Sequence, residues 1–424
     1  MSVGGLSQAA AAGSGASSYS LRQHNLSLLA LAVAQAPSPL SRADLAAATG
    51  LNRSTLTRLA EHLLAQGIVV ERGARAALTG RPSVPLHPAP HTYVAVGAEI
   101  APEYLELCVV DLTGSILVER HHEFAVGLPQ RASLLAEFAH TVNELQKQVT
   151  ASGMVLVGVS CGLPGLVDSD GYLHLAPNLG WRDVDLKAAV RDSGTDLDVT
   201  FHNSAGLAAY AETRARSRRG QPLEDFLFVT GSSGIGSALV RRGEVENGTR
   251  GWAGELGHIV VPDAEGLCSC GARGCLETVA SHDAILENAG FGRSAPLGKL
   301  FAALSRGDRR ASDSVRLAGR ALGTALSSYL NLVDTPVVVL GSLLERLYAH
   351  LAPEIEQALS QHVLSHGWAP VQISRATAGP HMVSEGAAWQ VLMNFLQRPD
   401  EWRHLADGAL TYYSVDETPE VTVE

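Results

Sequence analysis

The sequence has no apolar run near the roughly 18 residues that a membrane-crossing helix requires, so no membrane partner is expected. Its first 20 residues carry no charged side chain. They lack the basic start of a secretory signal and read as a flexible tail. Cysteine is scarce, five in 424 residues, an odd number of which three are clustered. That pattern fits a reducing, cytoplasmic setting better than a secreted disulfide framework. Charge is modest at 18% against 46% apolar residues, a globular composition long enough for two or three domains.

The net charge of −11 is unevenly spread. Residues 21–88 hold seven arginines against Asp44, Glu61 and Glu71, a net of +4 that leaves −15 elsewhere. A small basic unit on an acidic body suggests a nucleic-acid-binding module. Within it, residues 21–36 show a buried-face helical pattern that Pro37-Ser38-Pro39 ends. Ser41 is placed to cap a short helix closed by Gly50, and Asn52 begins a third. The third helix has Leu56, Leu59, Ala60, Leu63 and Leu64 on one face and Arg53, Ser54, Thr55, Thr57 and Arg58 on the other. A strand over 68–72 and a return over 75–78 complete a winged helix-turn-helix, with Arg81 at the wing. The third helix would offer its polar face to base edges and phosphates of a double-stranded DNA operator. Taken singly, any of these arginines is as readily explained by a solvated helix face.

Pro85, Pro88 and Pro90 read as a stiff linker. Beyond it, hairpin-like strands, a helix over 131–150 and a near-continuous apolar strand over 154–161 begin an alternating pattern in two successive halves. That predicts a two-lobed α/β body over 91–397 with a cleft between the lobes, and a weakly patterned tail over 398–424.

Three of the five cysteines, Cys268, Cys270 and Cys275, fall within eight residues, with His258 ten residues upstream of the first. Three thiols and an imidazole are one of the common structural zinc sets. Buried free thiols, or a disulfide between Cys268 and Cys275, are the alternatives. Two carboxylates, Glu255 and Glu277, bracket the cluster.

Taken together, Leu163-Pro164-Gly165-Leu166-Val167-Asp168, Pro177-Asn178-Leu179-Gly180-Trp181, Asn203, Gly254-Glu255-Leu256-Gly257-His258 and the Cys268–Glu277 element resemble the ROK family of repressors and sugar kinases. With a winged helix-turn-helix in front, the whole chain is similar to the family's transcriptional repressors. The resemblance implies an actin-like ATPase fold and structural zinc held by His258, Cys268, Cys270 and Cys275. It also implies a sugar or sugar derivative as effector, read by Asn203, Glu255, His258 and Glu277 with Asn178 and the Pro164-Gly165 turn in the pocket wall, and a homodimer or homotetramer. Glu255, Glu277 and Asn203 could instead serve only a structural role.

Four departures weigh against the alternative, an active ATP-dependent sugar kinase carrying a DNA-binding domain. The family's kinases place a catalytic aspartate where this chain has Ser204, and serine cannot take the proton. Their Asp-x-Gly-Gly-Thr phosphate loop corresponds to Glu99-Ile100-Ala101-Pro102-Glu103, which lacks glycines and adds a repelling carboxylate. Ser232-Ser233-Gly234-Ile235-Gly236 lacks the first glycine of the second loop, and Gly341-Ser342 replaces a Gly-Gly pair. The expectation is a sugar-responsive repressor of carbohydrate metabolism whose body is not an enzyme.

Overall fold

A computed structural model describes residues 18–73, 84–124, 129–262, 264–293 and 295–402. The return strand expected over 75–78 and Arg81 lie outside these residues.

Helices α1 (Ser18–Gln35), α2 (Arg42–Thr49) and α3 (Arg53–Ala65) form the expected trihelical unit. The first begins three residues inside the segment read as a tail. At α2, Ser41 accepts from the Asp44 amide and the Asp44 carboxylate accepts from the Ser41 amide, a reciprocal capping box. Gly50, at φ +70°, closes that helix in the left-handed region that glycine favours. Strand β1 (Val69–Glu71) pairs antiparallel with β2 (Leu86–Pro88), and Leu40 bridges Leu86. The stretch read as a proline linker is therefore a wing strand. Pro88 lacks an N–H, but as the last residue of a two-stranded edge it needs none.

The body contains two five-stranded sheets of matching design. The first is built from β3 (Tyr93–Ile100), β4 (Tyr104–Asp111), β5 (Ile116–Glu123), β6 (Val155–Leu163) and β10 (Val199–Asn203), in the order β10-β6-β3-β4-β5. Helix α4 (Arg131–Ala151) and α5 (Leu186–Asp192) belong to this lobe. A three-stranded antiparallel flap, β7 (Leu166–Val167), β8 (Tyr172–Ala176) and β9 (Trp181–Asp185), extends from it. Helix α6 (Ser204–Arg218) then leads to the second lobe. That lobe's sheet runs β13-β12-β11-β14-β15, from β11 (Phe226–Gly231), β12 (Ile235–Arg241), β13 (Glu244–Val245), β14 (Val337–Gly341) and β15 (Gln372–Arg375). In each sheet an antiparallel meander joins a parallel pair. The largely apolar strands β6 and β14 each have a parallel neighbour on both sides, the environment in which strands covered on both faces are found.

Helices α7 (Glu277–Ala280), α8 (His282–Asn288), α9 (Leu297–Ser305), α10 (Arg309–Leu330), α11 (Ser342–Arg346) and α12 (Tyr348–His362) surround the second sheet. The last helix, α13 (Met382–Leu396), is the spine of the molecule. Its Met382, Val383 and Ala387 pack in a cluster with α6 and the second sheet. Its Ala388, Trp389, Leu392, Met393, Phe395 and Leu396 pack with α1, α3 and the outer face of the first sheet. Close approach is obligatory here: a Cβ on Gly97 would lie 1.8 Å from the Ser384 carbonyl oxygen, and one on Gly386 would lie 2.1 Å from that of Leu207. Helix α6 is tied to the second lobe by the buried Glu212–Arg216 pair, whose carboxylate also accepts from the Thr377 and Ala378 amides at 2.7 Å.

The segment after residue 397 is not wholly a tail. Trp402 is buried, and its indole N–H donates to the Phe395 carbonyl at 3.1 Å. Asp400 accepts from Gln23 of α1 at 2.7 Å.

Candidate functional site

The sequence elements singled out above converge on one cavity of about 290 Å3 between the lobes. Its walls include Pro164, Gly165, Asn178, Asn203, Glu255, His258 and Glu277. The flap carries Asn178 in the turn before β9, and β10 ends on Asn203. A short 3-10 turn over Leu256–His258 separates Glu255 from His258, whose Nε2 lies 3.7 Å from a Glu255 carboxylate oxygen. Burial pushes the Glu255 carboxyl above the ordinary carboxylate range; His258 draws it down and Glu277 pushes it up.

The five expected ligand readers are not equally free. Glu277 is 7% exposed and accepts from the Ile235 amide at 3.1 Å and from Ser269 Oγ at 3.4 Å. Ser269 Oγ also stands 3.1 Å from Asn178 Oδ1, so its single proton is shared between two acceptors of the wall. Asn203 caps α6: its Oδ1 accepts from the Ala205 amide at 2.8 Å and its Nδ2 donates to the Gly165 carbonyl at 3.0 Å. An amide has two donor hydrogens and two acceptor lone pairs, so Asn203 keeps one of each for the cavity.

Two residues that sequence reasoning gave other meanings also belong to this wall. Ser204, noted only as a lost aspartate, lines the cavity with its Oγ buried and, among the described residues, without a hydrogen-bond partner. Gly234, read as part of a phosphate loop, backs the pocket: a Cβ there would lie 2.5 Å from both Asn178 Nδ2 and Glu277 Oε2. Neither position carries a sequence signal beyond its motif.

His258, Cys268, Cys270 and Cys275 place one donor atom each within 4.8 Å of the others. Cys270 and Cys275 have Sγ atoms 3.8 Å apart, and Cys268 Sγ lies 3.7 Å from His258 Nδ1. A tetrahedron with Zn–S bonds of about 2.3 Å has S–S edges of about 3.8 Å, so the donor set fits that ion. All five cysteines are free thiols. Because Nδ1 faces the thiols, Nε2 is left to the cavity, and the one imidazole can serve both roles. Gly271 and Gly274, at φ +94° and +82°, make the turns that bring the thiols together.

The segments compared with nucleotide loops border a second cavity, about 500 Å3, lined by Glu103, Ser232, Ser233 and Ser342 among others. Burial raises the Glu103 carboxyl from its ordinary value. Ser342 keeps φ +50°, the conformation a glycine adopts without strain, although the residue is no longer glycine.

On the outer unit, Arg53, Ser54, Thr57 and Arg58 are exposed on α3 and Thr55 is half-buried at its start. Ser54 Oγ and the Thr55 amide are engaged with Asn52 Oδ1, and Thr57 Oγ1 donates to the Arg53 carbonyl at 2.9 Å. The two guanidiniums are therefore the freest groups on that face.

Residues 95–393 match the ROK family over most of the chain. The protein belongs to the ROK family. Residues 27–73 of this ROK protein match the IclR helix-turn-helix domain. It is 26% identical over 361 residues to the xylose repressor of Bacillus subtilis strain 168, spanning 85% of this chain and 92% of that one. Its identity is also 26% over 344 residues to the DNA-binding transcriptional dual regulator NagC of Escherichia coli K12, spanning 77% and 82%. Among solved structures, a ROK family transcriptional regulator described as a homolog of the E. coli MLC protein superposes with a TM-score of 0.71 at 25% identity, covering 89% of this chain and 98% of that one. A Streptomyces griseus ROK glucokinase in complex with glucose and AMPPNP matches with a TM-score of 0.60 at 25% identity, over 70% of this chain and 98% of its own. Among the described residues, no helix is long and apolar enough to cross a membrane.

Proposed function

We propose that the protein is a sugar-responsive DNA-binding repressor of carbohydrate metabolism, working in the cytoplasm as a homodimer or homotetramer. The observation that carries this reading is the joining of two machines through one helix: α13 packs against the trihelical unit at one end and against α6 at the other, while α6 begins in the cavity. In this reading the arginines of α3 hold operator phosphates and the polar residues beside them meet base edges. A sugar or sugar derivative bonds to Glu255, Glu277, Asn203, Asn178, His258 Nε2 and the unpartnered Ser204 hydroxyl. Zinc in the Cys3His set is structural; it fixes the loop between Glu255 and Glu277, and supplies no nucleophile. Ligand closing the lobes would shift α6 and α13, and with them the spacing of two winged units on paired half-sites.

Similarity to sugar-named repressors over nearly their full length supports this function. The body is proposed not to transfer phosphate, because Ser204 offers no general base and Glu103 faces the second cavity with a carboxylate. The deciding measurement is operator affinity of the purified protein across a panel of sugars and sugar phosphates, run beside a coupled ADP-release assay. A sugar-dependent change in affinity without turnover is expected. ADP release would establish the kinase instead, and no sugar dependence would remove the effector role.

A further inference from the structure

A second group of carboxylate and imidazole side chains lies on the far side of the first sheet from α4, under the start of α13. Glu106, in the middle of β4, is 5% exposed. Its Oε2 stands 2.9 Å from His381 Nδ1, and its Oε1 accepts from Ser384 Oγ at 2.5 Å. The opposite ring nitrogen, His381 Nε2, stands 3.2 Å from Glu119 Oε1 of β5. His121, directly across the ladder from Glu106, adds its Nδ1 at 3.4 Å from the same Glu106 oxygen. Among the described residues, no lysine or arginine pairs with either carboxylate.

We propose that Glu106, Glu119 and His381 form a divalent-cation site, separate from the Cys3His set, that clamps β4 and β5 to the first turn of α13. A neutral imidazole has one N–H and one lone pair. Only the Nδ1 contact with Glu106 has hydrogen-bond geometry, so Nε2 keeps its lone pair free beside the Glu119 carboxylate. A cation held between His381 and the carboxylates would neutralise a buried charge that no fixed cation among the described residues answers. One donor atom from each of the three residues lies within 4.8 Å of the other two. With metal–ligand bonds of about 2.0–2.2 Å, donors stand about 3–3.5 Å apart when adjacent and about 4.4 Å when opposite, so a closure of about an ångström brings the three onto one ion, with water to fill the remaining positions. Two carboxylates and an imidazole, with no sulfur, suit manganese, cobalt or zinc rather than a thiophilic ion. His121 borders the group as a further imidazole.

The competing explanation is a doubly protonated His381 bridging two carboxylates without metal. The test uses the full-length protein, freed of loosely held metal and titrated with Mn2+, bound ion being counted by loss of the free Mn2+ resonance signal. Co2+ is titrated in parallel, because a nitrogen–oxygen site gives weak visible bands while cysteine ligation adds strong near-ultraviolet charge transfer. One Mn2+ per chain is expected, with Co2+ at the same stoichiometry lacking the charge-transfer band. His381→Ala and the conservative, exposed Glu119→Gln should each weaken Mn2+ at least about tenfold. Metal retained by the cysteine set should be unchanged in both, which also reports that they fold. Wild-type protein that takes up no Mn2+ would overturn the proposal, and so would variants that bind Mn2+ as the wild type does.

Discussion

The phenol of Tyr93 donates a 2.9 Å hydrogen bond to the main-chain carbonyl of Gln66. Tyr93 opens the first strand of the body, and Gln66 follows the third helix of the winged unit, so the bond crosses the junction between them. Burial pushes the phenol up to about 12, which keeps it a neutral donor at any working pH. Its ring is fully buried and packs against Phe395 of α13 with centroids 4.8 Å apart and the planes tilted by 39°. Tyr93→Phe should keep that packing and remove this one buried hydrogen bond. A loss of about 1 kcal/mol is expected in denaturant unfolding. If α13 transmits the ligand signal, the sugar-dependent change in operator affinity should also shrink.

The cavity wall can be tested at two residues with different failure modes. Glu255→Ala removes a carboxylate that could hold ligand hydroxyls, and charged hydrogen bonds of this kind are worth about 1.5–3 kcal/mol each. Calorimetry with a sugar that binds the wild type should show roughly a tenfold to hundredfold loss, with the melting temperature little changed. Gly234→Ala drives a methyl group against Asn178 and the Glu277 carboxylate and should abolish binding without removing any charged group. Unaltered affinity in both variants would sink the assignment of this cavity.

Removing the metal should act on shape rather than on chemistry. Cys275→Ser, or prolonged chelation, is expected to lower the melting temperature and weaken the sugar together, since the loop from Glu255 to Glu277 is closed by that residue. Elemental analysis should find one zinc per chain in the wild type and none bound by cysteine in the variant. A variant that loses zinc yet binds sugar normally would detach the two sites.

Stability should fall as pH rises through neutrality, on account of Glu99. Burial raises its carboxyl from 4.5 to about 8, opposed by the Tyr104 hydroxyl that donates at 2.8 Å. Between those values the folded state holds a proton that the unfolded state has released. The slope of unfolding free energy with pH is therefore negative across that window. Glu99→Gln keeps an acceptor for Tyr104 and cannot ionise. It should be more stable than the wild type at pH 8, with the advantage fading toward pH 4.5. Equal stability of the two proteins at both pH values would show that Glu99 is ionised at no cost.

Operator binding should weaken steeply with salt, and the slope should record the guanidiniums of α3. Arg53→Ala and Arg58→Ala are each expected to lower the salt exponent by about one if they contact phosphate. Arg42 is a fitting control, because it is already engaged with Glu71 of the wing.

Much of this was legible from local pattern. Ser41, Gly50 and Asn52 announced their helix ends, since capping depends on a few adjacent atoms. The cavity residues lay in short motifs, each placed at the end of a strand or a turn. The wing's second strand was hidden because Leu86-His87-Pro88 lies among prolines and pairs with a strand seventeen residues away. Asn203 looked like a ligand reader, and its cap and its bond to Gly165 emerge only when β10 meets the flap. Glu106 and His381 are 275 residues apart, and no spacing rule links them.

The shared cluster of α1, α3, the first sheet and α13 has a practical meaning for anyone who would cut this protein in two. Leu26, Leu29, Leu63, Tyr93, Trp389 and Leu392 are each no more than 2% exposed within it. A fragment ending near Pro90 would carry its leucines into water without the tyrosine and tryptophan that cover them, and the complementary fragment would present the matching apolar face. Neither half is a self-sufficient part. The winged unit is built as one wall of the body's own core, so the sensor and the reader must be made, folded and lost together.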